Sequence, residues 1–307
     1  MKRTDRRVLV TGGAGFIGAA IANRLAATDE VIALDDCSLG TPENLDDRVE
    51  FVEASVLDDG LPVDVDVVMH LAALSSLPMH EDDPARGARV NVEGFVNVVD
   101  QARRAGCETV VYASTSSVYG DRVEPTTEDG PVTATTAYEA SKLARERYAE
   151  HFAERYGMSI AGLRYFSVYQ GFAGTEGHKG RYANLIAQFA DDVANGRSPE
   201  IWGDGTQTRD FVHVDDAVEA AVRVADAELS GVYNVGTGER YSLAYLVERL
   251  NDLLDASVEP RFLENPIPED VYVHHTCADA SKLREETGWK PTVGFEEGLK
   301  RVCSPYL

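Results

Sequence analysis

The chain has 307 residues, 44% of them hydrophobic, enough for a sizeable core in one large domain or two coupled lobes. Its 29 Lys and Arg stand against 52 Asp and Glu, a formal charge of -23 that repels nucleic acid and anionic membrane surfaces and argues against both as partners. Only six of the basic residues are Lys. The acidic excess has an ordinary reading, a solvated surface, but the depletion of Lys beside it favours adaptation to high salt, which predicts an unfolding temperature that climbs as KCl approaches molar concentration.

In chain order, residues 1–7 and the apolar run 8–22 have the outline of a secretory leader, but four glycines interrupt the run, so a cytoplasmic chain is expected. No apolar stretch reaches the length of a membrane span. Cys37, Cys107, Cys277 and Cys303 lie far apart without a CxxC spacing, which predicts neither a disulfide framework nor a metal site. Short β-branched runs at 8–11, 30–34, 50–53, 65–70, 109–114 and 160–164 alternate with stretches of helical spacing at 16–27, 84–104 and 138–156. That rhythm predicts an α/β fold, a Rossmann-like doubly wound parallel sheet occupying residues 1–165. From 166 to 307 the rhythm loosens into polar loops at 170–180 and 203–208 around a helix at 182–195. Here we expect a smaller, interleaved C-terminal lobe, mainly for substrate, whose elements at 231–235 and 243–254 partly return to the sheet.

Thr11-Gly12-Gly13-Ala14-Gly15-Phe16-Ile17-Gly18 follows the first strand and opens the first helix. Gly13, Gly15 and Gly18 fit G-x-G-x-x-G, and Gly12, Gly15 and Gly18 fit a G-x-x-G-x-x-G variant; either lets backbone N–H groups approach a pyrophosphate. Asp35 lies twenty residues after Gly15 at the end of the second strand, where its carboxylate would accept both ribose hydroxyls. With Asp36 it would repel a 2′-phosphate, so NAD is the expected cofactor. His70-Leu71-Ala72-Ala73 closes the fourth strand with small residues that would let the cofactor approach.

Tyr138 and Lys142 are four residues apart, hence on one face of a helix. A nearby ammonium would stabilise the Tyr138 phenolate, and the same lysine could hold the nicotinamide ribose. The preceding strand ends in the hydroxyl cluster Ser114, Thr115, Ser116, Ser117, at the sheet edge where doubly wound folds place ligands.

These motifs, in this order, together with the 163–169 segment LRYFSVY and the 209–215 segment RDFVHVD, resemble the extended short-chain dehydrogenase/reductase family, in its NAD-dependent epimerase/dehydratase group and its UDP-glucose 4-epimerase branch. The resemblance covers almost the whole chain. It implies Thr115, Tyr138 and Lys142 as the catalytic residues: Thr115 would hydrogen-bond the sugar 4-hydroxyl while Tyr138 takes its proton, and hydride would pass to NAD and return on the other face of a 4-keto sugar. Phe16, Ile17, Ser55, Val56, Asn91, Ser114 and Tyr165 would join the glycines, Asp35 and Leu71–Ala73 around NAD. Ser75, Thr115, Ser116, Tyr138, Ser167, Asn184, Arg209 and Thr276 would face the UDP-sugar. A homodimer through residues 84–104 and 138–156 is also implied.

Ser116 and Ser117 stand where related dehydratases carry Asp and Glu, and neither can serve usefully as an acid or base, which favours epimerisation over dehydration. Arg209 would grip the diphosphate or, alternatively, pair with Asp215 or Asp216. Asn184 would hold the diphosphate or simply cap a helix. Two features depart from the family: Ser167 with Gln170-Gly171 replaces the usual Asn and Gly-Pro, and residues 265–275, including Ile267, lack the customary arginine. His274 or His275 would substitute for it or form a surface pair. A small Thr276 would admit an N-acetyl group. Other chemistries of the group, such as UDP-N-acetylglucosamine or UDP-glucuronate 4-epimerisation, decarboxylation or dehydration, and a non-catalytic NAD- or nucleotide-sugar-binding protein, are the alternatives.

Overall fold

Strand β1 (Arg7–Thr11) begins a computed structural model that describes residues 4–268 and 271–307. Its Val8, Leu9 and Val10 are fully buried and alternate between the two faces of the sheet. The glycine turn leads into α1 (Phe16–Leu25), followed by β2 (Glu30–Asp35), β3 (Glu50–Glu53) and β4 (Val67–His70). Next come α2 (Leu77–Glu81), α3 (Pro84–Ala88), a π turn (Arg89–Glu93), α4 (Gly94–Ala105) and β5 (Thr109–Thr115). Helix α5 (Ala137–Tyr156) leads to β6 (Ser159–Tyr165), β7 (Ser167–Tyr169), α6 (Leu185–Ala194), β8 (Glu200–Trp202), β9 (Thr208–Arg209) and β10 (Phe211–His213). The chain ends with α7 (Val214–Asp226), β11 (Gly231–Val235), β12 (Tyr241–Ser242), α8 (Leu243–Leu254), β13 (Arg261–Leu263), α9 (Ser281–Thr287) and α10 (Phe295–Cys303).

Seven parallel strands form the central sheet in the order β11-β6-β5-β4-β1-β2-β3, the expected Rossmann-like doubly wound arrangement. Chain order reverses between β1 and β4, and the crevice beyond the carboxyl ends of those strands is where such a sheet accepts ligands. One face packs against α1 and α7 through residues such as Val10, Ile21, Met69 and Ala221. The other packs against α4 and α5 through Leu9, Val68, Phe95, Val110 and Phe152. Helices α6, α8 and α10 enclose a third core of Ile186, Phe189, Leu246, Leu250 and Leu299 beside the sheet. Strand β11, from the C-terminal half, pairs with β6. No helix among the described residues is long and apolar enough to cross a membrane.

Three expected elements differ in detail. The helix expected at 84–104 is divided by the π turn around Asn91, whose side chain points inward: its Oδ1 accepts the Leu74 N–H at 2.8 Å and its Nδ2 donates to the Ser141 hydroxyl at 2.9 Å. The helix expected from 182 starts at Leu185, because Asn184 caps it by accepting the Ile186 N–H at 3.0 Å. The fourth strand begins at Val67, since at Asp66 the side-chain carboxylate accepts the Arg7 N–H at 2.8 Å while the Asp66 N–H donates to the Arg7 carbonyl. Helix α5 opens with a capping box, Thr136 and Glu139 each accepting the other's backbone N–H, which fixes the position of Tyr138 two residues inside.

Candidate active site

A cleft of about 550 Å³ lies at the crevice where the strand order reverses. At its floor, Gly12 has φ +66° and a Cβ there would stand 2.6 Å from the Ala72 nitrogen; a Cβ on Gly18 would stand 2.0 Å from the Gly12 carbonyl oxygen. Only glycine fits either position. Gly15 caps α1 without a side chain, and no acidic residue occupies the helix's first turn, so the N–H groups there are aimed at the cleft with no competing anion. Asp35 is buried at the end of β2, where its carboxylate accepts the Ala14 N–H at 3.1 Å and the Cys37 N–H at 2.9 Å. Burial pushes its pKa up, and those hydrogen bonds oppose the shift. Asp36 and Ser38 are exposed beside it on the cleft wall. A glycine cradle, an open helix N-terminus and a buried carboxylate twenty residues on are the parts a dinucleotide requires, so the residues present fit NAD.

Of the residues expected around the cofactor, Gly12, Gly15, Phe16, Ile17, Gly18, Asp35, Ser55, Val56, Leu71, Ala72, Ala73, Ser114, Tyr138, Lys142 and Tyr165 all line this cleft. The Tyr165 hydroxyl is buried with no hydrogen-bond partner among the described residues. Asn91 does not line it; fully buried behind the wall, it braces Leu74 and Ser141.

At the opposite wall the cleft brings together Thr115, Tyr138 and Lys142. Thr115 ends β5 and its Oγ donates to the Ser117 hydroxyl at 3.1 Å. The Lys142 Nζ donates to the Ala113 carbonyl at 3.0 Å and lies 5.7 Å from the Tyr138 ring centroid. Burial, and then repulsion from Arg145, push the lysine's pKa well down. Burial raises the Tyr138 phenol, against hydrogen bonding with Thr115 and the positive charge of Arg145. A buried phenol beside a hydroxyl and the guanidinium charge of Arg145 can give up and recover a proton more readily than burial alone would allow.

The residues expected on the sugar side divide. Ser75, Ser167 and Asn184 line the cleft, although the Asn184 amide already caps α6 and donates to the Val168 carbonyl at 3.1 Å. Ser116, Arg209 and Thr276 do not line it. Arg209 turns onto its own lobe, its Nη1 donating to the Thr208 and His274 carbonyls at 2.9 Å each, with its guanidinium 5.8 Å from the Tyr272 ring. The pairing with Asp215 or Asp216 is not formed: Asp215 takes Arg301, and Asp216 takes Thr292 and Val293. The Thr276 hydroxyl accepts the Asp210 N–H at 3.3 Å, and the His275 ring bonds the Thr208 hydroxyl at 3.0 Å. Glu269 and Asp270, within the 265–275 stretch, lie outside the described residues.

Sequence reasoning missed the short helical turn Gly177–Tyr182, which brings His178, Lys179 and Arg181 to the cleft. Lys179 sits 5.6 Å from the Phe16 ring, and His178 bonds the Asn44 amide at 3.0 Å. The only available signal was three cationic or titratable residues in a glycine-rich loop. That loop is organised by Glu176, fully buried, whose carboxylate accepts the N–H groups of Gln170 (2.8 Å), Gly171 (2.9 Å) and Asn184 (2.6 Å).

Compared with known proteins, residues 8–236 match the model of the NAD dependent epimerase/dehydratase family. The chain is 37% identical to a UDP-glucose 4-epimerase of Mycolicibacterium smegmatis, with 96% of this chain and 97% of the relative aligned. Among solved structures it is similar to a UDP-N-acetylglucosamine 4-epimerase of Methanobrevibacter ruminantium in complex with UDP-N-acetylmuramic acid, with TM-score 0.90, 30% identity and 98% of each chain covered. It is also similar to a UDP-glucose 4-epimerase of Thermus thermophilus in complex with NAD, with TM-score 0.87, 32% identity and 98% of each chain covered.

Proposed function

Because this chain belongs to the NAD-dependent epimerase/dehydratase family, whose members modify sugar nucleotides, we propose that it epimerises a UDP-hexose at C4, with Tyr138 as the base and Thr115 and Lys142 in support. The carrying observation is the meeting of those three side chains on one wall of the cleft whose floor is the glycine cradle. Thr115 hydrogen-bonds the 4-hydroxyl, Tyr138 takes its proton, and Lys142 holds the phenol's charge and the ribose beside it. Gly12, Gly15, Gly18 and Asp35 would hold NAD, which when bound would supply a hydride acceptor and donor, so the 4-keto sugar would be transient and no outside redox partner needed.

Dehydration would require an acid and a base near the sugar. Among the described residues lining the cleft the only carboxylates are Asp35 and Asp36, at the nucleotide end, and Ser117 spends its hydroxyl on Thr115. For the diphosphate, Lys179 and Arg181 support the reading better than Arg209, because they line the cleft and Arg209 does not. On this account residues 1–165 hold the cofactor and 166–307 mainly the sugar nucleotide, with β11 lent to the sheet. The proposal keeps the homodimer through residues 84–104 and 138–156, where Tyr148 and Tyr156 on α5 are each 44% exposed.

The identity of the sugar is tested by following UDP-glucose, UDP-N-acetylglucosamine and UDP-glucuronate separately by NMR in molar KCl. We expect the C4 epimer of at least one to appear. A dehydrated or decarboxylated product would replace the epimerase reading, and no turnover of any sugar would favour a binding protein.

A further inference from the structure

The buried face of α5 carries more charge than the proposed chemistry uses. Arg145 follows Tyr138 by seven residues and Lys142 by three, which sets all three on one side of the helix. It is fully buried, and its hydrogen bonds end on neutral atoms: Nε on the Asn91 carbonyl and Nη2 on the Ala72 carbonyl at 2.8 Å. Its Nη1 is buried with no partner among the described residues. Lys142 likewise rests on a carbonyl. The carboxylates nearby are committed elsewhere, Glu146 to Arg164 and Ser114, and Glu139 to the helix cap.

Two buried cations without an anion are costly to keep. Burial and then repulsion from Arg145 lower Lys142 well below its usual range, and burial brings Arg145 down to about 10. Near neutrality Arg145 cannot relieve this by losing its proton, whereas a neighbouring phenol can supply the missing negative charge. Tyr112 and Tyr138 both interact electrostatically with the guanidinium, but Tyr112 is sealed in the core and Tyr138 opens to the cleft.

We propose that Arg145 is a positioning residue that acts through Tyr138, a second fixed positive charge that stabilises the phenolate and sets the pH at which the base forms. The inference rests on the assignment of Tyr138 as base. The other groups around that phenol are Glu139 and Lys142 on α5, Thr115 on β5 and, edge-on at 5.6 Å between ring centroids, His80 on α2, while Tyr165 on β6 and Arg86 on α3 line the same cleft. His70 on β4 also lies near Arg145 and Lys142. Burial holds His80 and His70 below their ordinary pKa.

The test uses the NAD-loaded protein and reads tyrosinate absorbance against pH, each protein being subtracted from its own Tyr138→Phe counterpart so that only Tyr138 remains. Arg145→Gln, which keeps a hydrogen-bond donor without the charge, should move the midpoint up by about one pH unit or more, a tenfold loss of phenolate at a given pH on the acid side. The pH limb of kcat should move with it while KM stays put. Arg145→Lys should restore most of the shift. Should Arg145→Gln fail to fold by circular dichroism, Arg145→Met, which buries no unpaired polar atom, carries the same expectation. Equal midpoints in the parent and the neutral variant would overturn the proposal. Because the titration needs no sugar, failure of the epimerase reading shows separately, as absent turnover with the midpoint shift intact.

Discussion

Tyr138→Phe should fold and bind NAD as the parent does, yet convert the sugar nucleotide about a hundred- to ten-thousand-fold more slowly. Phenylalanine removes one oxygen and keeps the ring, so the edge-on contact with His80 and the ring's proximity to Lys142 survive. What disappears is the group proposed to exchange a proton with the 4-hydroxyl. Thr115 and Lys142 cannot replace it, because Thr115 is too weak an acid to ionise usefully and Lys142 is tied to the Ala113 carbonyl. NMR time courses of the two proteins, with NAD content checked after gel filtration, measure this. Rates within about threefold of each other would remove Tyr138 from its assigned role.

The second large effect is on stability. Glu146 and Arg164 form a buried bidentate pair, Nε to Oε1 at 2.9 Å and Nη2 to Oε2 at 2.6 Å, and Glu146 also accepts the Ser114 hydroxyl at 2.6 Å. Arg164 continues to the Tyr119 hydroxyl at 2.8 Å, which donates to Asn234 at 2.7 Å, joining α5, β5, β6 and β11 in one polar chain. Glu146→Ala leaves a guanidinium buried without its anion and should cost about 3–5 kcal/mol in denaturant unfolding. Replacing both partners, Glu146→Leu with Arg164→Met, should recover most of that loss, since desolvating the pair offsets much of its attraction. A loss under about 1 kcal/mol in the single variant would show that the pair is not buried as described.

The cofactor half was legible in the sequence because its signals are local: glycines within one turn, Asp35 at the end of the next strand, and two functional side chains one helical turn apart. Helix α5 was harder. Its buried residues include Glu139, Lys142, Arg145 and Glu146, so hydrophobic periodicity could not distinguish its inner face from a solvated one. The C-terminal half was least legible, because it is assembled by contacts far apart in the chain. Gln170 accepts the Thr175 hydroxyl at 2.9 Å, and that hydroxyl also lies 3.0 Å from the Phe16 carbonyl, tying the 170–184 loop to the start of α1. Nothing in the neighbourhood of Gln170 announces that partner. Arg209 shows the converse: it sits in a recognisable segment, yet the carbonyls of Thr208 and His274 hold it away from the cleft.

The central claim is that the hydrogen at C4 leaves and returns within one site. It is tested most directly by giving the enzyme a UDP-sugar deuterated at C4, using whichever sugar turns over, and reading the epimer by NMR. The account predicts an epimer that keeps its deuterium at C4, without added NADH. An epimer carrying solvent hydrogen at C4, or a product that needs an external reductant, would contradict it.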